Sequence, residues 1–233
     1  MYITREGIMA KKQNETENTN KSATKSDGIN LDEKPNSREL LSMLLRDFSN
    51  LKYVHPNDIP SIDLYMDQVT TFLEEQLSTV KRNPEDKTVT KTMINNYAKD
   101  KILPAPEKKK YSKDHLLVII LIYYFKSFLP MKDVADILNP VTDKYFNNEN
   151  LSFADIYDEL VKLQAGQARE LTKDVIQKWH RCQETFEDAP EDEQQFLKDF
   201  GFICMLGFDV FVKKAIIEDY LDIMGKYYNN DKE

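Results

Sequence analysis

Ten consecutive apolar residues, LLVIILIYYF from Leu116 to Phe125, constrain this 233-residue chain more than any other feature. A segment that is apolar on every side has no face to give to water, so other elements must cover it all round. It is too short for a bilayer span, which needs ~18 or more apolar residues. It therefore predicts a buried core helix, capped by Ser112 and with Asp114 favourably placed near the helix N-terminus. The other apolar stretch, GFICMLGFDVFV from Gly201 to Val212, is broken by Asp209 and is also too short to span. With only 6 glycines there are few residues for tight turns of positive φ, which disfavours a β-sandwich or barrel. A mainly α fold is expected.

Helical periodicity organises the rest of the chain. Residues 1–36 are polar, rich in Asn, Lys, Thr and Ser, and read as a disordered tail. Residues 37–61 read as a short helix with Leu40, Leu41, Leu44 and Leu45 on one stripe, then a linker held out of helix by Pro56 and Pro60. A helix is predicted from about Leu64 to Lys81 on Met66, Val69, Leu73 and Leu77 or Val80. Thr88 or Thr90 caps a short helix, TKTMINNYAKD, buried through Met93, Ile94 and Tyr97. KILPAPEKKKY is extended, because residues before proline avoid the helical region. A short helix, MKDVADIL, follows Pro130, and a polar loop is expected after Pro140. From Ser152 a helical pattern with Phe153, Ile156, Tyr157, Leu160 and Leu163 runs to about Phe186, with a break expected near Gly166. Asp192 to Tyr228 reads as one or two long helices, kinked near Gly201 or Gly207. There Phe196, Phe200, Ile203, Val210, Ile217 and Leu221 are expected to point inward.

The net charge of −8 lies wholly beyond Asn150, where 10 Lys/Arg stand against 18 Asp/Glu; the first 149 residues carry 22 of each. Within that neutral part, Lys87 to Lys113 holds eight lysines against Asp100 and Glu107. Phosphate affinity follows local clusters rather than the total, so any contact with nucleic acid belongs in this strip. Two cysteines, Cys182 and Cys204, make neither a disulfide framework nor a metal spacing, and no metal site or cofactor is expected. The opening residues, MYITREGIMAKKQN, lack an apolar h-region, so a cytoplasmic protein without a membrane partner is expected.

Three stretches of the middle third share a pattern. VTKTMINNYAKDKILPA, from Val89, carries Tyr97 near the end of a short helix, followed by Ile102, Leu103 and Pro104. KKYSKDHL, Lys109 to Leu116, is a basic pair, a tyrosine, a serine cap and a helix start. PMKDVADIL, Pro130 to Leu138, is a short closing helix. Together they resemble the MerR-type winged helix-turn-helix over about 50 residues. The segment Ile62 to Leu138 also resembles an uncharacterised family, mostly from low-GC Gram-positive bacteria, known only as a domain of unknown function. The chain departs from the MerR pattern in three places: STVKRNPEDKTV stands where the family has a tight turn, Asn95 and Asn96 replace an Arg and a Tyr, and Lys101 replaces a Gly. The resemblance implies a winged helix-turn-helix at residues 62–140 with a short β-hairpin wing. MerR relatives dimerise through a coiled coil directly after the winged helix. Here Pro140 and an Asn-rich loop interrupt, and the acidic helical region at 151–228 is expected to be a dimerisation or effector region built differently.

A short helix can enter the major groove only if its outer face is free, small and polar. With Met93, Ile94 and Tyr97 inward, Thr90, Lys91, Thr92, Asn95, Asn96 and Lys99 point outward. Asn can pair with adenine, while Lys and Thr reach phosphates. Lys108, Lys109 and Lys110 form the wing tip, and Lys87 and Lys113 flank the strip. The expected function is a DNA-binding transcriptional regulator acting on duplex DNA as a homodimer, since two-fold proteins read palindromes. The alternative is a protein-interaction module that keeps the winged-helix fold. Other features have plainer readings. Tyr97 and Tyr111 are core tyrosines, and His115 is a surface or helix N-terminal residue. Glu74-Glu75 and Asp192-Glu193 lie on exposed faces. Trp179, Phe196, Phe200, Phe202, Phe208 and Phe211 belong to a core or a subunit interface. No P-loop, Gly-rich dinucleotide turn, HExxH helix or Ser-His-Asp order occurs, so an enzyme is not expected.

Overall fold

A computed structural model describes residues 36–49 and 53–229, apart from 82 and 84. The expected disordered tail falls on residues 1–35, outside the described residues. The chain forms α1 (Ser37–Ser49), β1 (Leu64–Tyr65), α2 (Met66–Gln76), α3 (Lys91–Lys99) and β2 (Lys110–Tyr111). It continues through α4 (Lys113–Phe125), α5 (Met131–Tyr145), α6 (Phe153–Gln183) and α7 (Glu191–Asn229). It is mainly helical, and β1 and β2 pair antiparallel with Leu64 opposite Tyr111 and Tyr65 opposite Lys110.

α4 is the apolar run, and it is buried all round. Leu116, Leu117, Val118, Ile119, Ile120 and Ile122 are each at most 1 % exposed. Burying one such side chain is worth ~1.5–3 kcal/mol, so α4 dictates what surrounds it. α2, α5, α6 and β2 all pack against it. Val69, Leu73 and Leu77 cover it from the α2 side, as the period predicts, and Phe153, Tyr157 and Val161 from the start of α6. Val54 and Ile59, ahead of β1, join the same core.

Several boundaries differ from the sequence reading. Leu64 and Tyr65 are strand rather than helix, because Tyr111 and Lys110 offer them a partner. α2 ends at Gln76, and the turn to Val80 is a single 3₁₀ turn. α6 passes Gly166 without a break, and of one or two long helices after Asp192 the chain forms one, α7. Four side chains expected to point inward from α7, Phe196, Phe200, Ile203 and Val210, are exposed; Ile217 packs against the core. Of the two readings of His115, the helix N-terminal one holds, in the first turn of α4, but the side chain is not on the surface. It is 3 % exposed, accepts a hydrogen bond from the Ser112 amide at 3.0 Å through Nδ1, and meets the rings of Tyr111 and Phe146 edge-on. Burial pushes its imidazole pKa down, which favours the neutral ring.

The largest difference is at Pro140, where the expected loop is helix. Pro140 cannot donate to the carbonyl one turn back, which normally ends a helix. The second half of α5 is held by what it touches instead. Thr142 is buried, Phe146 packs against His115, and the Asn147 amide just past the helix donates to Asp114 Oδ2 at 2.8 Å. Tertiary contact here outweighs local propensity. Because Pro140 is exposed, Pro140→Ala should restore the missing bond without disturbing packing. We expect the substitution to stabilise the fold by ~1–3 kcal/mol, read as a higher denaturation midpoint with unchanged helicity; an unchanged or lower midpoint would contradict this account of α5.

Candidate nucleic-acid interface

α3 begins where Thr90 turns its hydroxyl to the Met93 amide at 3.2 Å, the expected N-cap. Ile94 and Tyr97 are buried and Met93 is half-buried, so the inward face is as read from the sequence. Lys91, Thr92, Asn95, Asn96 and Lys99 are exposed. The helix closes on a Schellman turn: Lys101 has φ 59°, the Ile102 amide donates to the Tyr97 carbonyl, and the Lys101 amide donates to that of Ala98. Lys101 thus holds the left-handed position that favours glycine, at a cost of roughly 1 kcal/mol.

The basic tip is a four-residue turn. Lys110 N–H donates to the Glu107 carbonyl at 2.8 Å, and the two tip residues between them, Lys108 and Lys109, have φ 49° and 65°. Consecutive left-handed residues are the mark of a type I′ turn, whose usual occupants are Asn-Gly. Both lysines are exposed, and Lys110 lies with Nζ 5.5 Å from the centre of the Tyr65 ring.

A short chain of contacts brings this turn and α3 together. Lys91 forms an ion pair with Asp67 in the first turn of α2. Two residues earlier in the chain, Tyr65 lies beneath Lys110. The start of α3 and the base of the turn therefore both lie against the N-terminus of α2. Lys87 is exposed on the loop before α3, and Thr90 is half-buried with its hydroxyl committed to capping. Lys113, half-buried at the start of α4, lies within electrostatic reach of Asp114 and of Asp155 on α6. Among the described residues, Thr92, Asn95, Asn96, Lys99, Lys108 and Lys109 have no side-chain hydrogen bond or ion-pair partner.

The residue that sequence reading missed is Glu74, read as an exposed-face carboxylate. It accepts hydrogen bonds from Lys81, from the Thr88 hydroxyl at 2.8 Å and from the Thr88 amide at 3.2 Å. One carboxylate thus holds both ends of the long connection between α2 and α3, the place where the family pattern has a tight turn. The bond from Lys81, followed by those from Thr88, holds Glu74 below the ordinary carboxylate range. The available signal was Thr88 itself, a second candidate cap two residues before the one used. A lowered folded-state pKa means that the stabilisation is present above the unfolded carboxylate range and is lost as pH falls through the folded value. Glu74→Gln should therefore remove part of the acid sensitivity of folding. Glu74→Ala should cost on the order of 1 kcal/mol after allowance for solvent screening. Urea midpoints at neutral and mildly acid pH check both; equal acid sensitivity in wild type and Glu74→Gln would sink the assignment.

Comparison with curated proteins and with solved structures finds no match to the chain. The comparison that does succeed covers the part built around α4, from the buried Val54 to the first turns of α6: residues 54–160 match the protein-family model described as "Domain of unknown function (DUF1836)".

Proposed function

We propose that β1, α2, α3, the 107–110 turn and β2 form a MerR-like winged helix-turn-helix that binds duplex DNA, and that the chain is a transcriptional regulator. α3 is the recognition helix and the lysine turn is a short wing. The observation that carries this reading is the turn itself. Lys108 and Lys109 both stand in the left-handed region, and neither has an internal partner among the described residues. Each such residue costs ~1–2 kcal/mol relative to an ordinary conformation. Backbone strain of this kind concentrates at functional sites. Held there, the two lysines project charge beside the exposed Thr92, Asn95, Asn96 and Lys99 face, a surface that suits phosphates and base edges.

A protein-interaction module is favoured by one feature. The strip from Lys87 to Lys113 holds no arginine, the residue best suited to reading guanine. Salt dependence separates the two readings. The wild-type chain should bind bulk duplex DNA with an affinity that falls steeply as salt rises. Changing Lys91, Lys108, Lys109 and Lys110 together to Ala should lower the magnitude of the log–log slope by up to about 3.6, given ~0.9 per phosphate contact. Unaltered binding and slope would rule out this surface, and absence of duplex binding by the wild type would favour the protein-binding alternative. A second variant isolates the turn: Lys108→Asn with Lys109→Gly should raise stability by roughly 1–2 kcal/mol. It should also weaken duplex binding, so that stability and binding move in opposite directions in parallel melting and titration experiments.

A further inference from the structure

α7 extends 39 residues, about 58 Å at ~1.5 Å per residue, and its two halves pack through different sides. The first half faces α6. Met205 Sδ lies 3.4 Å from Cys182 Sγ, Asp209 pairs with Lys178 at 2.7 Å, and Gly201 lies beneath the Phe186 ring. The second half turns a different stripe to the body, with Ile217 against the core and α5 alongside. Followed back by threes and fours, the stripe of Ile217 passes Lys214 and then Val210, Gly207, Ile203, Phe200 and Phe196. That continuation is uncovered. Phe196 is 67 % exposed, Ile203 66 %, Val210 60 % and Phe200 54 %, and Phe211 beside them 67 %.

We infer that this uncovered face of α7, from Phe196 to Phe211, is the contact surface for a second copy of the chain, with the two α7 helices antiparallel about a two-fold axis. Area supports a stable pairing. Phe196, Phe200, Ile203, Val210 and Phe211 are 54–67 % exposed. At ~150–250 Å² for a large aromatic side chain, they present on the order of 600 Å² of apolar surface. A standard stable interface takes about 800 Å² from each partner.

Charge chooses the occupant. Phe196, Phe200, Ile203, Cys204, Gly207 and Phe211 carry no charge, so the strip offers a charged peptide or nucleic acid nothing to pair with. The residues beside it are mostly acidic, Glu191, Asp192, Glu193 and Asp199 against Lys198 and Lys214, in an acidic half of the chain. Interfacial helices that bind lipid carry basic rims instead. A second identical strip matches the first in length and apolar character.

The geometry also sets the register. The midpoint of the strip lies between Ile203 and Cys204, and an isologous antiparallel pair centred there places Phe196 opposite Phe211 and Phe200 opposite Gly207. A Cβ on Gly207 would meet nothing within 4 Å, so in the single chain that position is open. The Phe200 ring of one protomer fills the space above Gly207 of its partner. Cys204, exposed, falls beside the axis near its own copy, whereas Cys182 is buried beneath α7. The inference is independent of DNA binding.

Sedimentation equilibrium and thiol crosslinking of the full chain test it, with no DNA present. The wild type should show twice the 27.3 kDa chain mass. Phe200→Glu and, separately, Gly207→Glu should each shift it toward the single-chain mass with helicity unchanged. Because Gly207 touches nothing in the single chain, its variant keeps the test valid even if Phe200→Glu fails to fold. A short bifunctional maleimide should give a covalent dimer that Cys204→Ser abolishes and Cys182→Ser leaves intact. A wild type of single mass at every concentration, or a dimer that survives Gly207→Glu, overturns the interface. A dimer that does not crosslink through Cys204 overturns the antiparallel register.

Discussion

Everything else in this molecule depends on α4 being covered on all sides. A helix with one apolar stripe needs one neighbour, whereas α4, apolar all round, needs several, and these come from distant parts of the chain. α2 covers one side, α5 and the start of α6 cover others, and β2 leads directly into its first turn. Ser112 and His115 fix that entry, with the amide of one bonded to the ring of the other. The basic turn precedes it by a few residues, so burial of α4 also determines where Lys108 and Lys109 stand.

The candidate surface is positioned by a few directed contacts on this packed base. Glu74 draws in the long loop after α2, and Thr90 then opens α3 with Ile94 and Tyr97 facing the core. β1 pairs with β2, setting Tyr65 beneath Lys110, while Asp67 pairs with Lys91 a few residues further on. Rigidity comes from neutral and paired groups underneath, and the unpaired lysines and asparagines sit above them.

α7 shows how a helix can look like core in sequence and be surface in structure. Phe196, Phe200, Ile203 and Val210 share a stripe with Ile217 and Leu221, and helical period alone assigns all six to one environment. Only Ile217 and Leu221 are covered to any extent, because α7 turns this stripe to the body only in its second half. Apolar residues then lie on all sides of the helix, the mark of an element covered from more than one direction.

Periodicity and capping chemistry determined much by themselves: the central helix, the inward faces of α2 and α3, the caps at Thr90, Ser112 and Ser152, and the exposed face of α3. These are local properties, set by side chains three or four residues apart and by hydroxyls next to free amides. Tertiary structure decided the rest. It carried α5 through Pro140, because Thr142 is buried and Phe146 and Asn147 found partners in α4. It made Glu74 a staple instead of a surface charge, because Thr88, fourteen residues away in the chain, folded back onto it. It paired β1 with β2 across more than forty residues. It also left half of the α7 stripe bare, because a repeat of apolar residues specifies that a face must be covered and not what covers it.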